Sequence, residues 1–454
     1  MLVNCVERGR YLDSVALMRV SRRLEAVAGV DAAALMIGSP SNKDLLRAAG
    51  LLSADGEQAT PNDLVIALRG AGAKQAVRSA LEFLSEVNEA KGQGIPHART
   101  LAGALESLPQ ANLALISIPG EFAAYEARRA LERGLHVLLF SDNVSLEDEA
   151  ALKRLARQKN LLLMGPDCGT AIVAGTPIAF ANVLPRGDIG IVSASGTGLQ
   201  EVSSLIARMG GGISHGIGVG GRDLDARIGA LGTLAAIDAL EADRGTAKMV
   251  LISKPPAPEV AQRVLERARQ SAKPCIVCFL GLSEPGIAPT LTAAAEQATG
   301  KRLQHEEFPS RKQQGQVRGL YCGGTLCAEA QLIFRHRGLK GHQFIDLGGD
   351  EYTRGRPHPM IEPEIRNDHI ARAALDPDVG VILLDVVIGH GAHENPAAVL
   401  LKAVRGKKTV IASVTGTEQD PQGWSHQVAL LRCAGVLVAA SNAHAAELAA
   451  SLVS

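Results

Sequence analysis

Short aliphatic runs recur along the chain, each closed by Gly, Pro, Ser or Asp and followed by an Ala-, Leu-, Arg- and Glu-rich stretch. The first five are AAALMIG (32–38), LVIALRG (64–70), LALISIPG (113–120), HVLLFS (136–141) and LLLMGP (161–166). The later ones are GIVSAS (190–195), KMVLISK (248–254), CIVCFLG (275–281), QFIDLGG (343–349), GVILLDVVIG (380–389), TVIASVTG (409–416) and GVLVAAS (435–441). Strands that are apolar at every position are covered on both faces. Alternation with helical stretches then predicts parallel α/β layers. In such layers ligands gather where strand C-termini meet helix N-termini.

Three stretches interrupt the pattern. ATGKRLQHEEFPSRKQQGQVRG (298–319) is polar and reads as an exposed connector, NEAKGQGIPHART (88–100) as a surface loop, and NVLPRGD (182–188) as the entry to a new strand. At 454 residues the chain exceeds one ordinary core. The breaks give four α/β units: 1–106, 107–185, 186–300 and 315–454.

One device appears twice. GIVSASGTGLQEV (190–202) and GLYCGGTLCAEA (319–330) each run from an apolar strand through small residues into a helix. A helix N-terminus carries N–H groups without intrahelical acceptors and about half a positive charge. Small residues ahead of it let an anion approach. Ser195, Gly196, Thr197 and Gly198 in the first turn, and Gly323, Gly324 and Thr325 in the second, are therefore the expected phosphate- or carboxylate-binding residues. Two such turns facing one another suit a doubly charged phosphoryl group.

Composition narrows the partners. Lys+Arg and Asp+Glu both number 47, so no net field draws nucleic acid or an anionic membrane. Aromatic residues are 3%, too few for base-stacking platforms. Small-molecule chemistry is the expectation. Seven cysteines, mostly in apolar runs, read as reduced thiols of a cytoplasmic protein. MLVNCVERGRYLDS lacks the apolar segment of a signal peptide, and no run approaches a membrane span.

GIVSASGTGLQEV and LLLMGPDCGTAIVAGTP (161–177) resemble the succinyl-CoA synthetase α subunit; QFIDLGGDEYT (343–353) and VGVILLDVVIGHGA (379–392) resemble the β-subunit ligase domain. Joined with RYLDSVALM, ALMIGSPSNKDLL, GRDL and GRPHPMIEP, they make a chain that resembles the FdrA family. The resemblance implies that 1–106 and 107–185 are two halves of a Rossmann-like, CoA-binding-type domain. It implies that 186–300 and 315–454 are flavodoxin-like ligase-type domains whose paired helices hold phosphate. It further implies a subunit of an oxamate carbamoyltransferase, acting with partner subunits in allantoin breakdown, either in a homo-oligomer or in a hetero-oligomer. The alternative is an acyl-CoA synthetase using CoA and a nucleotide. Against it, LSEPGIAPTL follows KPCIVCFLG where the synthetases carry their phosphorylated histidine, no histidine lies between His215 and His305, and CVERGRYLDS replaces a CoA-seating Gly turn.

Other candidates are single residues. Arg222 in GGRDLD (220–225) is a candidate for the substrate carboxylate, and His390 in IGHGAHENP (388–396), with His393, for an oxyanion donor. Gly348, Gly349 and Asp350, with Arg354, Arg356 and His358, form a loop that can grip substrate. Cys275 and Cys278 lack the second pair of a zinc site, and no metal is expected. Cys322, just before a helix, is weighed as a nucleophile against plain packing. VTGTEQDPQ (414–422) and GPDCGT (165–170) are further strand-end turns.

Overall fold

The computed structural model describes residues 1–10, 12, 14–90, 98–306, 308, 312–353, 357–404, 406 and 408–453, without the side chains of residues 14, 15, 41, 87–90 and 350. Met1–Pro109 form one compact unit, and Gln110–Thr353 with His358–Ser454 another.

In the first unit β1 (Leu2–Glu7), β2 (Ala32–Ile37) and β3 (Leu64–Arg69) make a sheet in the order β1-β3-β2. Both outer strands pair with β3 antiparallel, Leu2 and Ala32 each opposite Arg69. This corrects the expectation of a parallel Rossmann-like half over 1–106. The reason lies in β3, LVIALR, which is buried at its first five positions. One face meets a core with Leu17, Val20, Leu24 and Leu84, the other a cluster with Leu46, Leu51 and Ala59. Coverage on both faces removes the alternation that normally marks an antiparallel strand.

The second unit is parallel α/β. β4 (Leu113–Ile116), β5 (His136–Leu139) and β6 (Leu163–Met164) make a small parallel sheet. A six-stranded sheet follows, order β12-β11-β9-β10-β7-β8. Its parallel core is β9 (Arg186–Ser193), β10 (Ile213–Gly218), β11 (Lys248–Ser253) and β12 (Cys275–Phe279). The hairpin β7 (Thr170–Val173) and β8 (Thr176–Ala179) joins this sheet antiparallel through β10, so the boundary expected near 185 is crossed by the chain. The third sheet is wholly parallel, β14-β13-β15-β16-β17. Its strands are β13 (Gln316–Tyr321), β14 (Gln343–Asp346), β15 (Val379–Val387), β16 (Thr409–Thr415) and β17 (Leu437–Ala439).

Every aliphatic run named above contains a strand; β1, β7, β8 and β10 were not foreseen. The two larger sheets share one apolar core that takes in Ile191, Leu199 and Leu205 from one side and Leu326, Ala330 and Ala445 from the other. Polar ties add to it. Asn182 Nδ2 donates to the carbonyl of Ile388 and to Asp420 Oδ2, both at 2.8 Å, and Asp420 Oδ1 accepts Val183 N–H at 2.7 Å. A shared apolar core with buried, satisfied hydrogen bonds resists hinge motion between these halves. The geometry at their junction is therefore set by packing.

Candidate functional site

β9 ends at Ser193, and Ser195 caps the helix Gly196–Arg208. Ser195 is extended, and its Oγ accepts the Gly198 N–H at 2.8 Å. Ser193 Oγ accepts Ser195 N–H at 3.1 Å and donates to the Ser195 carbonyl at 2.7 Å. The turn is closed by its own serines, and Gly198, whose N–H goes to Ser195, is no free anion donor, which corrects its expected role.

The second turn is closed from outside. Beyond β13, Cys322 and Gly323 lead into the helix Gly324–His336. Asp385, at the centre of the apolar run of β15, accepts the N–H of Cys322 at 2.8 Å and of Gly323 at 2.7 Å. Its charge is met by Arg366 at 3.0 Å. That guanidinium also donates to the carbonyls of Asp385 (2.8 Å) and Leu320 (2.6 Å). Gly323 thus gives its N–H to a protein carboxylate, which corrects its expected role as an anion donor. By helix geometry the amides of Gly324, Thr325 and Leu326 lack intrahelical acceptors.

The two turns meet. Ser195 Oγ and Thr325 Oγ1 lie 2.6 Å apart, 130 residues distant in sequence. Lys254, the exposed residue after β11, brings its Nζ to 3.0 Å from where a Cβ on Gly324 would stand, and the Asp346 carboxylate reaches the same position. Thr170 Oγ1 is 3.1 Å from the equivalent position on Gly196. Gly348 packs so closely that a Cβ would collide with the Cys322 carbonyl and stand 2.6 Å from His358 Nε2. Gly196, Thr197, Gly198, Gly324, Thr325 and Gly348 are therefore gathered at one place. Gly349 follows, and Asp350 opens the short helix Asp350–Thr353. Arg354 and Arg356 lie outside the described residues.

Other candidates stand elsewhere. Arg222 donates to the Val144 carbonyl and pairs with Glu149, each at 2.8 Å. Glu149 also pairs with Lys153 (2.9 Å), which in turn meets Asp223 at 2.6 Å. Arg222 belongs to that ionic cluster, which corrects its assignment to the substrate. His390 is exposed, and its N–H donates to the Ala181 carbonyl at 2.9 Å, so its loop is held against the segment after β8.

Burial decides the titrating groups. Cys322 is 2% exposed, and burial, then the neighbouring Asp385, pushes its thiol well above the ordinary value. A neutral thiol is no nucleophile, so packing is its role. Burial lowers His358 to about 4, more than the Asp385 charge restores. Its Nδ1 accepts Met360 N–H at 3.2 Å, which leaves the proton of the neutral ring on Nε2, facing Gly348.

Sequence reasoning missed Asp385, Arg366 and Lys254. Asp385 was detectable: a lone carboxylate inside an aliphatic strand must be paired. Lys254 carried no such mark.

Comparison with known proteins follows this geometry. A CoA-ligase family profile matches residues 320–452, and a profile described as AllF, heavy metal-associated domain, matches 1–99. The whole chain is 40% identical to Uncharacterized protein YahF of Escherichia coli (strain K12), over 99% of this chain and 98% of that one. The chain belongs to the family of YahF. It is also 32% identical to the succinate–CoA ligase [ADP-forming] subunit alpha of Aquifex aeolicus, over 33% of this chain and 52% of the relative. The dinucleotide forming acetyl-coenzyme A synthetase 1 of Ca. Korarchaeum cryptofilum, apo form, matches with TM-score 0.33 and 16% identity over 79% of this chain and 87% of that chain. That score adds nothing to the strand order above. The chain is thus similar to CoA ligases over 320–452, in part to succinate–CoA ligase α subunits, and to the AllF profile over 1–99.

Two groups implied by these names fit poorly. Soft metals need several converging thiolate, thioether or imidazole donors. Residues 1–99 hold one cysteine, Cys5, one histidine, His97, which lies outside the described residues, and three methionines, Met1, Met18 and Met36, of which Met36 packs in a different cluster from Cys5. Cys5 packs against the apolar core from β1, and burial, then Glu7, raises its thiol. For CoA, among the described residues after β1 the Gly9 amide is not open to an anion, since it gives its N–H to Asp63 at 3.0 Å. Among the described residues no helix is long and apolar enough to cross a membrane.

Proposed function

We propose that this chain is a subunit of a carbamoyltransferase of the oxamate carbamoyltransferase type, holding phosphate between the openings of helices 196–208 and 324–336. The observation that carries the reading is the 2.6 Å approach of Ser195 Oγ and Thr325 Oγ1, which sets two positive helix ends at one point. Lys254 beside Gly324 brings a positive charge, which the Asp346 carboxylate at the same position offsets in part.

In this reading a phosphate oxygen attacks the carbamoyl carbon of oxalurate. The C–N bond to oxamate breaks, its nitrogen takes a proton, and carbamoyl phosphate leaves. Such a step needs the dianion positioned and the developing charge met; it needs no protein nucleophile. The neutral thiol of Cys322 and the missing histidine after β12 agree with that. The AllF-type domain is a second support, and in this reading partner subunits complete the site.

A CoA-ligase profile and the succinate–CoA ligase relatives favour a second reading, an acyl-CoA ligase or a non-catalytic relative of one. One experiment separates the two. The protein is combined with the products of neighbouring genes, and carbamoyl phosphate release from oxalurate is followed with and without phosphate. Phosphate-dependent release, abolished by Ser195→Ala with Thr325→Val, supports the first reading. ATP-dependent thioester formation with CoA, and no phosphorolysis, supports the second.

A further inference from the structure

Two carboxylates unused by that chemistry hold matching positions: Glu201 is six residues after Ser195, and Glu329 six after Gly323. Both are 1% exposed, and each reaches across to the other half. Glu201 Oε1 accepts the N–H of Asn442 at 3.0 Å, the first residue of the helix Asn442–Val453, and Oε2 accepts the Thr415 hydroxyl at the end of β16. Glu329 Oε1 accepts the N–H of Leu291 at 2.7 Å, the first residue of the helix Leu291–Thr299, and Oε2 accepts Asn442 Nδ2 at 2.7 Å. The network closes on itself. Asn442 Nδ2 also donates to the Leu326 carbonyl at 2.9 Å, and Thr292 Oγ1 donates to Ser441 Oγ at 2.8 Å.

Each helix that opens at Ser195 or Thr325 is therefore tied, through its own carboxylate, to the N-terminus of a helix from the opposite half. Rotating either helix would break a buried cap in the other half, and such caps are costly to leave unmade. We propose that Glu201 and Glu329 are reciprocal positioning residues that keep the two helix openings opposed, and that the charge on Glu329 sets how tightly an oxyanion binds between them. The second clause rests on the anion site proposed above; the first does not.

The charge matters because Glu329 is on the same helix as Gly324, five residues or about 7.5 Å further along its axis. Burial, against its two hydrogen bonds, raises Glu329 to about 7, with Glu201 and Glu447 pushing the same way. Burial raises Glu201 too, opposed by Asn442, Thr415 and Arg208. The other titratable groups facing Glu329, Cys278 of β12 and Tyr321 of β13, are kept neutral by burial. Above neutral pH a negative charge then develops behind the anion-facing helix end and opposes a second anion.

Sulfate tests this, because it remains a dianion throughout the range. Its affinity for the full chain is measured by calorimetry at pH 6 and pH 8 for wild type, Ser195→Ala, Glu329→Gln and Glu329→Ala. The expected wild-type affinity is about fivefold weaker at pH 8, and Glu329→Gln is expected to be flat. If Glu329→Gln keeps the wild-type slope, the charge assignment is overturned. If wild type binds no sulfate, the anion site fails and the charge assignment goes with it. Hydrogen exchange then still decides the positioning: Glu201→Ala and Glu329→Ala should each speed exchange at both 199–203 and 327–331, the first amides bonded within each helix, with Glu201→Gln restoring protection. Acceleration confined to the mutated helix would overturn it.

Discussion

Asp385 and Arg366 face each other at 3.0 Å where neither side chain reaches solvent, and the same carboxylate holds the two amides that precede helix 324–336. The pair is thus part of how the second turn is built. Removing either member leaves the other charge buried, with two amides unmet when Asp385 goes and two carbonyls unmet when Arg366 goes, which costs about 3–5 kcal/mol. Asp385→Ala is expected to lower the urea midpoint accordingly, with Arg366→Met comparable. A midpoint within about 1 kcal/mol of wild type for Asp385→Ala would contradict this account.

Gly324 and Gly196 make a controlled contrast. A methyl on Gly324 meets the Asp346 carboxylate and the Lys254 ammonium, whereas one on Gly196 meets Thr170 Oγ1 alone, at 3.1 Å. Gly324→Ala should therefore displace both groups, Asp346 first, whereas Lys254→Met removes the cation alone and should weaken sulfate binding about tenfold, on the scale of one charge-assisted contact. Gly196→Ala should change it by less than about threefold, the effect of a tight but yielding contact. Wild-type sulfate affinity in Lys254→Met would show that Lys254 takes no part.

Acid should loosen the second turn through His358. Its folded value is about 4, below the ordinary value of 6.5, so the folded state resists protonation that the unfolded chain accepts. Stability is then complete above pH 6.5 and declines as pH falls from 6.5 toward 4. His358→Gln, which cannot take the proton, should lose less stability between pH 7 and pH 4.5 than wild type does. Parallel pH curves from chemical unfolding would remove His358 from this role.

Glu329 acts in the opposite direction. Its folded value of about 7 lies above the ordinary 4.5, so the folded state binds the proton more tightly. Its contribution is complete below pH 4.5 and is lost as pH rises to 7. Glu329→Gln should flatten the wild-type decline in unfolding free energy between pH 5 and pH 7.5. The same decline in the variant would place the titration elsewhere.

The strands of the second unit were legible because both faces of each are covered, which writes burial into consecutive residues such as VGVILLD. That same signal misled at β3, where two helical layers cover an antiparallel strand. The small residues of both turns were legible too, since close approach admits little else. Their partners were not. Asp385 and Lys254 reach the site from other elements, Glu201 and Glu329 find their partners in the opposite half, and no local pattern links residue 201 to 442 or 329 to 291. Arg222 misled for a related reason: its partner Glu149 is on a helix 73 residues earlier, and only the fold brings them together.

The AllF-type domain should work without the metal its profile name suggests. Cys5 points from mid-strand into an apolar core, its thiol raised by burial, and no second cysteine occurs before Cys168. A lone protonated thiol cannot replace the converging soft donors such an ion requires. Gly9, just after β1, is tied instead to Asp63, which accepts from Gly9 N–H (3.0 Å), Thr60 N–H (2.8 Å) and Thr60 Oγ1 (2.7 Å). Those bonds hold the Asp63 carboxyl below its usual range, so the tether persists at neutral pH. Zinc or cuprous ion added to the full chain should leave its unfolding temperature unchanged, and Cys5→Ser should retain it within about 1 kcal/mol of wild-type stability. Stoichiometric metal uptake that Cys5→Ser abolishes would overturn this, whereas uptake lost only on changing Asp63 would make the tether itself the ligand.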